Sequence, residues 1–111
     1  MKKGDNMTFG QVIAEARKKL GLSQKDLASR IKKEDGTPIS PQYLNDIERD
    51  RRNAPSEQIL AQIAKELDLS LDYLQVISGK VPEDIKVEHY KPEEIEEAML
   101  AFRRTLEKRK G

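Results

Sequence analysis

Residues 22–55 read LSQKDLASRIKKEDGTPISPQYLNDIERDRRNAP, and two short helices start one after the other within them. Ser23 is placed to cap the first, with Asp26 at its third position and Leu27, Ala28 and Ile31 on its inner side. Ser40 followed by Pro41 opens the second. The serine oxygen can accept from an unpaired backbone N–H, and proline has no N–H to leave unsatisfied. Tyr43, Leu44 and Ile47 give this helix its buried side, and it runs from Ser40 to Arg49. It is too short to be stable alone. It carries polar residues outward and is followed by Arg51, Arg52 and Asn53. Between the two helices, Lys32 to Pro38 is a turn-rich polar loop.

Working outward, Thr8-Phe9-Gly10-Gln11 has capping-box spacing, and Val12, Ile13, Ala16 and Leu20 form a stripe at helical intervals that Gly21 ends. On the other side, Pro55-Ser56-Glu57 opens a helix with Ile59, Leu60, Ile63, Ala64 and Leu67 as its stripe. Ser70 caps another with Leu71, Leu74 and Ile77 inside, ended by Gly79. Past Gly79, Val81 to Ile85 suits a single turn, and Lys86 to Tyr90 alternates as an extended segment does. Pro92 opens a last helix with Ile95, Ala98, Met99, Phe102 and Leu106 on one narrow face. The reading is all-α. It divides into a disordered start at 1–7, a five-helix domain at 8–78, a linker at 79–91 and a C-terminal helix at 92–111.

Composition limits what such a chain can be. Its 111 residues suffice for one domain with an appendage. With no cysteine there are no disulfides and no thiolate metal sites, which fits a reducing cytoplasm. Met1-Lys2-Lys3 is followed by polar Gly4-Asp5-Asn6 where a signal peptide needs an apolar run, and no stretch is apolar enough to span a membrane. The net charge of +1 divides unevenly: residues 1–55 carry 12 Lys/Arg against 8 Asp/Glu, residues 56–111 carry 9 against 12. That is a local basic face rather than a general affinity for polyanions.

A helix held by its neighbours with a polar outer face suits the major groove of duplex DNA, which admits one α-helix. Gln42, Asn45, Asp46 and Arg49 are the outward candidates. Gln pairs bidentately with adenine and Arg with guanine. Asp46 has two readings, as an acceptor from cytosine or as a carboxylate that repels phosphate and orients an arginine. Tyr43 also has two, stacking on sugar or a thymine methyl, or packing at the domain surface. The starts of the second and fourth helices leave free N–H groups that suit phosphate, Gln24 lies where its amide could clamp the backbone, and Ser23, Lys25 and Ser40 are further phosphate candidates. Arg51, Arg52 and Asn53 are candidates for the strand across the groove.

The residues Leu22-Ser23-Gln24, Leu27-Ala28, Ile39-Ser40, Tyr43-Leu44, Ile47-Glu48, Pro55-Ser56, Leu60, Ile63-Ala64, Leu67 and Leu71-Tyr73-Leu74 together resemble the helix-turn-helix domain of the phage-repressor/Cro type, the XRE family. The resemblance covers about residues 8 to 78. It implies a five-helix, lambda-repressor-like domain whose third helix reads DNA, with Pro41, Gln42, Tyr43 and Asp46 facing bases, Asn45 nearby and Gln24 on phosphate. It also implies a salt bridge between Arg17 and Glu48 tying the first helix to the third. The sequence departs from the family in two places. The loop from Lys32 to Pro38 is longer than the usual tight turn, and Asp50 stands where glycine is frequent. Aspartate tolerates positive φ better than most residues.

The function expected is a DNA-binding transcriptional regulator, a repressor, acting as a homodimer on double-stranded DNA. The stripe of Ile95, Met99, Phe102 and Leu106 is the candidate for joining subunits; the alternative is packing onto its own domain. A second function class is a protein-interaction module, with the last helix capturing a partner and DNA binding kept for autoregulation. Glu93, Glu94, Glu96 and Glu97 open that helix, where dipole compensation accounts for them better than a metal site. His89 stands alone. No phosphate-binding glycine loop, zinc spacing or nucleophile elbow occurs, so no enzyme, cofactor or metal is expected.

Overall fold

The computed structural model describes residues 7–82 and 84–110; residues 1–6, most of the expected disordered start, lie outside them. The helices are α1 (Phe9–Lys19), α2 (Gln24–Arg30), α3 (Pro41–Glu48), α4 (Glu57–Leu67), α5 (Leu71–Ile77) and α6 (Pro92–Lys110). Side-chain oxygens cap five of them: Thr8, Ser23, Ser40, Ser56 and Ser70 each accept from a backbone N–H in the first turn. Thr8 with Gln11 and Ser23 with Asp26 close reciprocal capping boxes. Short helices in a small domain need such caps, because each leaves unpaired N–H groups at its start.

Ile13, Leu27, Ile31, Leu44, Ile47, Leu60, Ile63 and Leu74 are fully buried and form one core with Ala28, Ile39, Ala64 and Leu67. α3 packs on both α1 and α2, α4 on α5, and α1 also meets α4. α3 contributes Leu44 and Ile47 to this core, with Tyr43 packed at its edge. Val12 and Ala16 of the expected α1 stripe are half-buried against it, but Leu20 is half exposed as the C-cap beyond the last turn.

The long α2–α3 connection is more ordered than its composition suggests. Ile39 donates to the Ile31 carbonyl (2.9 Å) and Lys33 to that of Thr37 (2.7 Å), with Gly36 at φ +86° making the turn. Asp35 accepts from both the backbone N–H and the hydroxyl of Thr37. Gln62 of α4 then clamps the hairpin's base, accepting from the Lys32 N–H (2.7 Å) and donating to the Lys32 carbonyl (2.8 Å). The extra residues therefore form a small hairpin pinned to α4, while Ile39 re-enters the core and fixes the approach to α3.

Beyond Gly79 one expectation fails. Lys86 to Tyr90 is not an extended segment: Val87–His89 form a 3₁₀ turn, with the His89 N–H on the Lys86 carbonyl and the Tyr90 N–H on that of Val87. Two-residue alternation signals a strand only where another strand takes up its backbone groups. Here the chain satisfies them locally before α6.

Candidate nucleic-acid interface

The candidate interface is built on α3. The helix is slightly shorter than the stretch Ser40–Arg49: Ser40 is its N-cap and Arg49 its C-cap. Three buried groups hold its inner side. Leu44 and Ile47 enter the core, and Glu48 meets Arg17 of α1 through two hydrogen bonds, from Nε to Oε2 (2.7 Å) and from Nη2 to Oε1 (3.0 Å). The third arm of Arg17, Nη1, donates to the Leu22 carbonyl at the entry to α2 (2.8 Å). One guanidinium thus ties α1, the α1–α2 turn and α3 together. The hydrogen bonds to Glu48 raise the Arg17 pKa above its already high ordinary value, against the opposing effect of burial. The expected pair is present and buried.

α1 can approach α3 this closely because residue 10 is glycine. A Cβ there would lie 2.4 Å from the Ile47 carbonyl oxygen and 2.5 Å from that of Glu48. Immediately after α3 the chain turns at Asp50, whose φ of +58° is the left-handed conformation expected where glycine is common in the family. Its carboxylate reaches back to α1, accepting from the Gly10 N–H (2.9 Å) and from the Thr8 hydroxyl. That second role was not legible in the sequence. Its only trace was an acidic residue in a position that tolerates glycine.

The outward residues divide into two linked groups. Gln24, expected as a phosphate clamp, uses its amide N–H groups inside the protein: Nε2 lies 3.1 Å from Asn45 Oδ1 and 2.8 Å from Glu48 Oε1. Asn45 is accordingly half-buried, not a free outward side chain. Gln24 Oε1 and Asn45 Nδ2 are the polar atoms of this pair left without a hydrogen bond inside the protein. The second group centres on Asp46. Gln42 Nε2 donates to Asp46 Oδ1 (3.0 Å), and Arg52 Nε lies 3.8 Å from Asp46 Oδ2. The Arg52 guanidinium also sits over the Tyr43 ring, 4.9 Å from its centroid. The i, i+4 spacing of Gln42 and Asp46 was a visible signal for their contact; the return of Arg52 from the loop was not.

Pro41, Gln42 and Arg49 are exposed, as are Lys25 beside the α2 cap and Arg51 and Asn53 in the loop after α3. Ser23 and Ser40 spend their hydroxyl lone pairs on capping, from Asp26 and Tyr43 N–H groups. Ile95, on α6, is half-buried, whereas Met99, Phe102 and Leu106 are 42%, 44% and 52% exposed. Those three do not pack into the five-helix core. No group of metal-ligating side chains occurs among the described residues.

A buried-edge helix with a polar outer face, preceded by a capped helix and followed by an arginine-rich turn, is the arrangement of a helix-turn-helix domain. The helix-turn-helix family model HTH_3 matches residues 13–74, more than half of the chain, and the chain belongs to this family in its phage-repressor/Cro (XRE) form. Two solved structures are similar to it. The crystal structure of SinR, the master regulator for biofilm formation, in complex with DNA is 33% identical, covering 60% of this chain and 97% of that one, with a TM-score of 0.50. The SinR protein/SinI protein complex is 28% identical, covering 93% of this chain and 95% of that one, with a TM-score of 0.51. No curated protein matches the chain.

Proposed function

We propose that this protein is a sequence-specific DNA-binding transcriptional repressor of the cytoplasm that lays α3 in the major groove and acts as a homodimer. The observation that carries the reading is the contrast between the two sides of α3. Its inner side is locked by Leu44, Ile47 and the Arg17–Glu48 pair, while Pro41, Gln42, Tyr43 and Asp46 line an accessible face near its N-terminus. A rigid helix presenting donors and acceptors from its first turns can read base edges. SinR, seen with DNA, supports it.

Within this reading Gln42 and Arg49 supply direct hydrogen-bonding contacts to bases, and Tyr43 an apolar one. Pro41 contributes shape alone. Asn45, held by Gln24, contributes through its remaining amide hydrogens. Ser23, Lys25, Ser40, Arg51 and Asn53 are the candidates for contact with the two phosphate backbones; Gln24, whose amide hydrogens are taken by Asn45 and Glu48, is not among them. The dimer contact falls to α6. Glu93, Glu94, Glu96 and Glu97 crowd its first half, and Arg103, Arg104, Lys108 and Arg109 its second. A second copy laid antiparallel would set each acidic half against a basic one.

A second reading has α6 capture a different protein, with DNA binding kept for autoregulation. It is favoured by the likeness to a complex of SinR with SinI, which extends over 93% of this chain.

The deciding experiment is selection of binding sites from random duplex DNA, with the winners retested across salt. The expected result is a pseudo-palindrome with half-sites about one helical turn apart. Weak, sequence-blind binding that vanishes by physiological salt would overturn the DNA-reading function.

A further inference from the structure

Arg52 is the residue whose placement departs furthest from its place in the sequence. It lies in the loop after α3, where a basic side chain ordinarily reaches for a phosphate on the flanking strand. Its guanidinium instead folds back onto the recognition helix, over Tyr43 and beside Asp46. Both partners belong to the outward side of α3, and Asp46 also holds Gln42. Arg51, its neighbour, is simply exposed.

The chemistry of this group is directional. An ionised carboxylate only accepts, so Asp46 fixes the Gln42 amide with Nε2 toward it and leaves Oε1 and the second amide hydrogen unengaged within the protein. That pair matches the N6 donor and N7 acceptor of adenine. On Arg52, Nε is the nitrogen that approaches Asp46 (3.8 Å), which leaves the Nη1/Nη2 edge unengaged within the protein. The edge is a planar fork, and stacking on Tyr43 restricts its tilt. A fork held beside a base-reading glutamine fits the O6 and N7 acceptors of guanine.

We propose that Arg52 is a base-reading residue carried on the face of α3, and that Asp46 is a positioning residue that aims Arg52 and Gln42 without itself touching DNA. This rests on the DNA-reading function proposed above. Specificity would then be set by a unit of four side chains, Gln42, Tyr43, Asp46 and Arg52, drawn from the helix and the loop beyond it. Sequence inspection of the helix alone would miss one of its readers.

The test uses the full chain, the best site from the selection and its single-base variants, each measured across a salt series. Arg52→Lys keeps the charge and loses the fork. It should keep the salt dependence, yet lose on the order of ten-fold in discrimination at one base pair per half-site. Asp46→Asn should erode preference at that same base pair and at the one read by Gln42, with binding to random duplex retained. The proposal is overturned if Arg52→Ala weakens all sequences equally and lowers the salt slope by about 0.9, the mark of a phosphate contact, with Arg52→Lys restoring both. It is also overturned if Asp46→Asn changes preference at a single cytosine only, the mark of direct contact. A wild-type chain that prefers no sequence sinks this proposal and the parent function together. A wild-type chain that prefers one while Arg52 variants lose affinity uniformly sinks only this one.

Discussion

Asp50 accepts a hydrogen bond from the backbone N–H of Gly10, 40 residues earlier, and so joins the turn after α3 to the start of α1. The N–H it takes is one of those a helix start leaves unpaired, and the same carboxylate also takes the Thr8 hydroxyl. Two residues absent from the hydrophobic core thus set how α1 seats against α3.

Asp50→Ala should therefore cost about 2–3 kcal/mol, since hydrogen bonds to a charged acceptor are worth about 1.5–3 kcal/mol each and are partly solvated here. Asp50→Gly should cost about 1 kcal/mol less, because glycine relieves the penalty at φ +58°. Gly10→Ala should lose about 3 kcal/mol by forcing α1 off the Ile47 and Glu48 carbonyls. Urea unfolding of the three variants checks the order. Equal stability of Asp50→Gly and wild type would mean that the carboxylate contributes nothing beyond what its strain removes.

The Arg17–Glu48 pair gives the second prediction. Its side chains are only 10% and 5% exposed, so removal of one partner strands a buried charge. Arg17→Met or Glu48→Met should each cost about 3–5 kcal/mol, whereas the double replacement should recover much of that loss. A double-mutant cycle by thermal unfolding measures it. Additive losses would mean that the two side chains act independently, against the geometry of two direct bonds.

These pairs mark where the sequence could be read and where it could not. Caps and stripes were legible because they are local: Ser40-Pro41, Ser23 with Asp26, and the spacing of Leu60, Ile63, Ala64 and Leu67 each carry their own physics within one or two turns. Contacts across the fold were not. Nothing in the spacing of Gln62 and Lys32 announces a two-bond clamp 30 residues apart, and the amide of Gln24 is equally plausible toward a phosphate or toward Asn45 and Glu48. The family resemblance supplied Arg17 with Glu48. It held no counterpart for the Asp50 carboxylate, because glycine at that position has no side chain. Lys86 to Tyr90 misled for the opposite reason, since a local pattern was read without the partner strand that a strand requires.

Acid should loosen α2 and the following hairpin before the core. The Ser23 backbone N–H and then its hydroxyl hold the Asp26 carboxyl below its ordinary value, and the Thr37 hydroxyl and then its N–H do the same for Asp35. A lowered folded-state value means the stabilisation is complete above the unfolded carboxyl's pKa of about 3.9 and is lost as pH falls through the lower folded value. NMR titration of the Ser23 and Thr37 amides should give midpoints below about 3.9. Asp26→Asn should abolish the first transition and leave the second. Midpoints at or above the ordinary value would show that these carboxylates gain nothing from their hydrogen bonds.

The last prediction concerns α6, whose Met99, Phe102 and Leu106 remain largely exposed in the single chain. Full burial of such side chains is worth roughly 1.5–3 kcal/mol each, enough in sum to favour association once a partner surface is matched. If two copies pair through this face, Met99→Glu with Phe102→Glu should shift the protein to monomer in sedimentation. Affinity for a two-half-site duplex should fall by at least about ten-fold, because the second α3 would no longer be tethered near its half-site. Binding to an isolated half-site should be unchanged, since neither residue belongs to the five-helix core. Antiparallel pairing adds a signature of its own. Reversing Glu96 and Glu97 to lysine should weaken association, and reversing Arg103 and Arg104 to glutamate in the same chain should restore it. Unchanged mass and unchanged binding in the Met99/Phe102 variant would remove the dimer role from α6 and leave a different protein partner as its occupant.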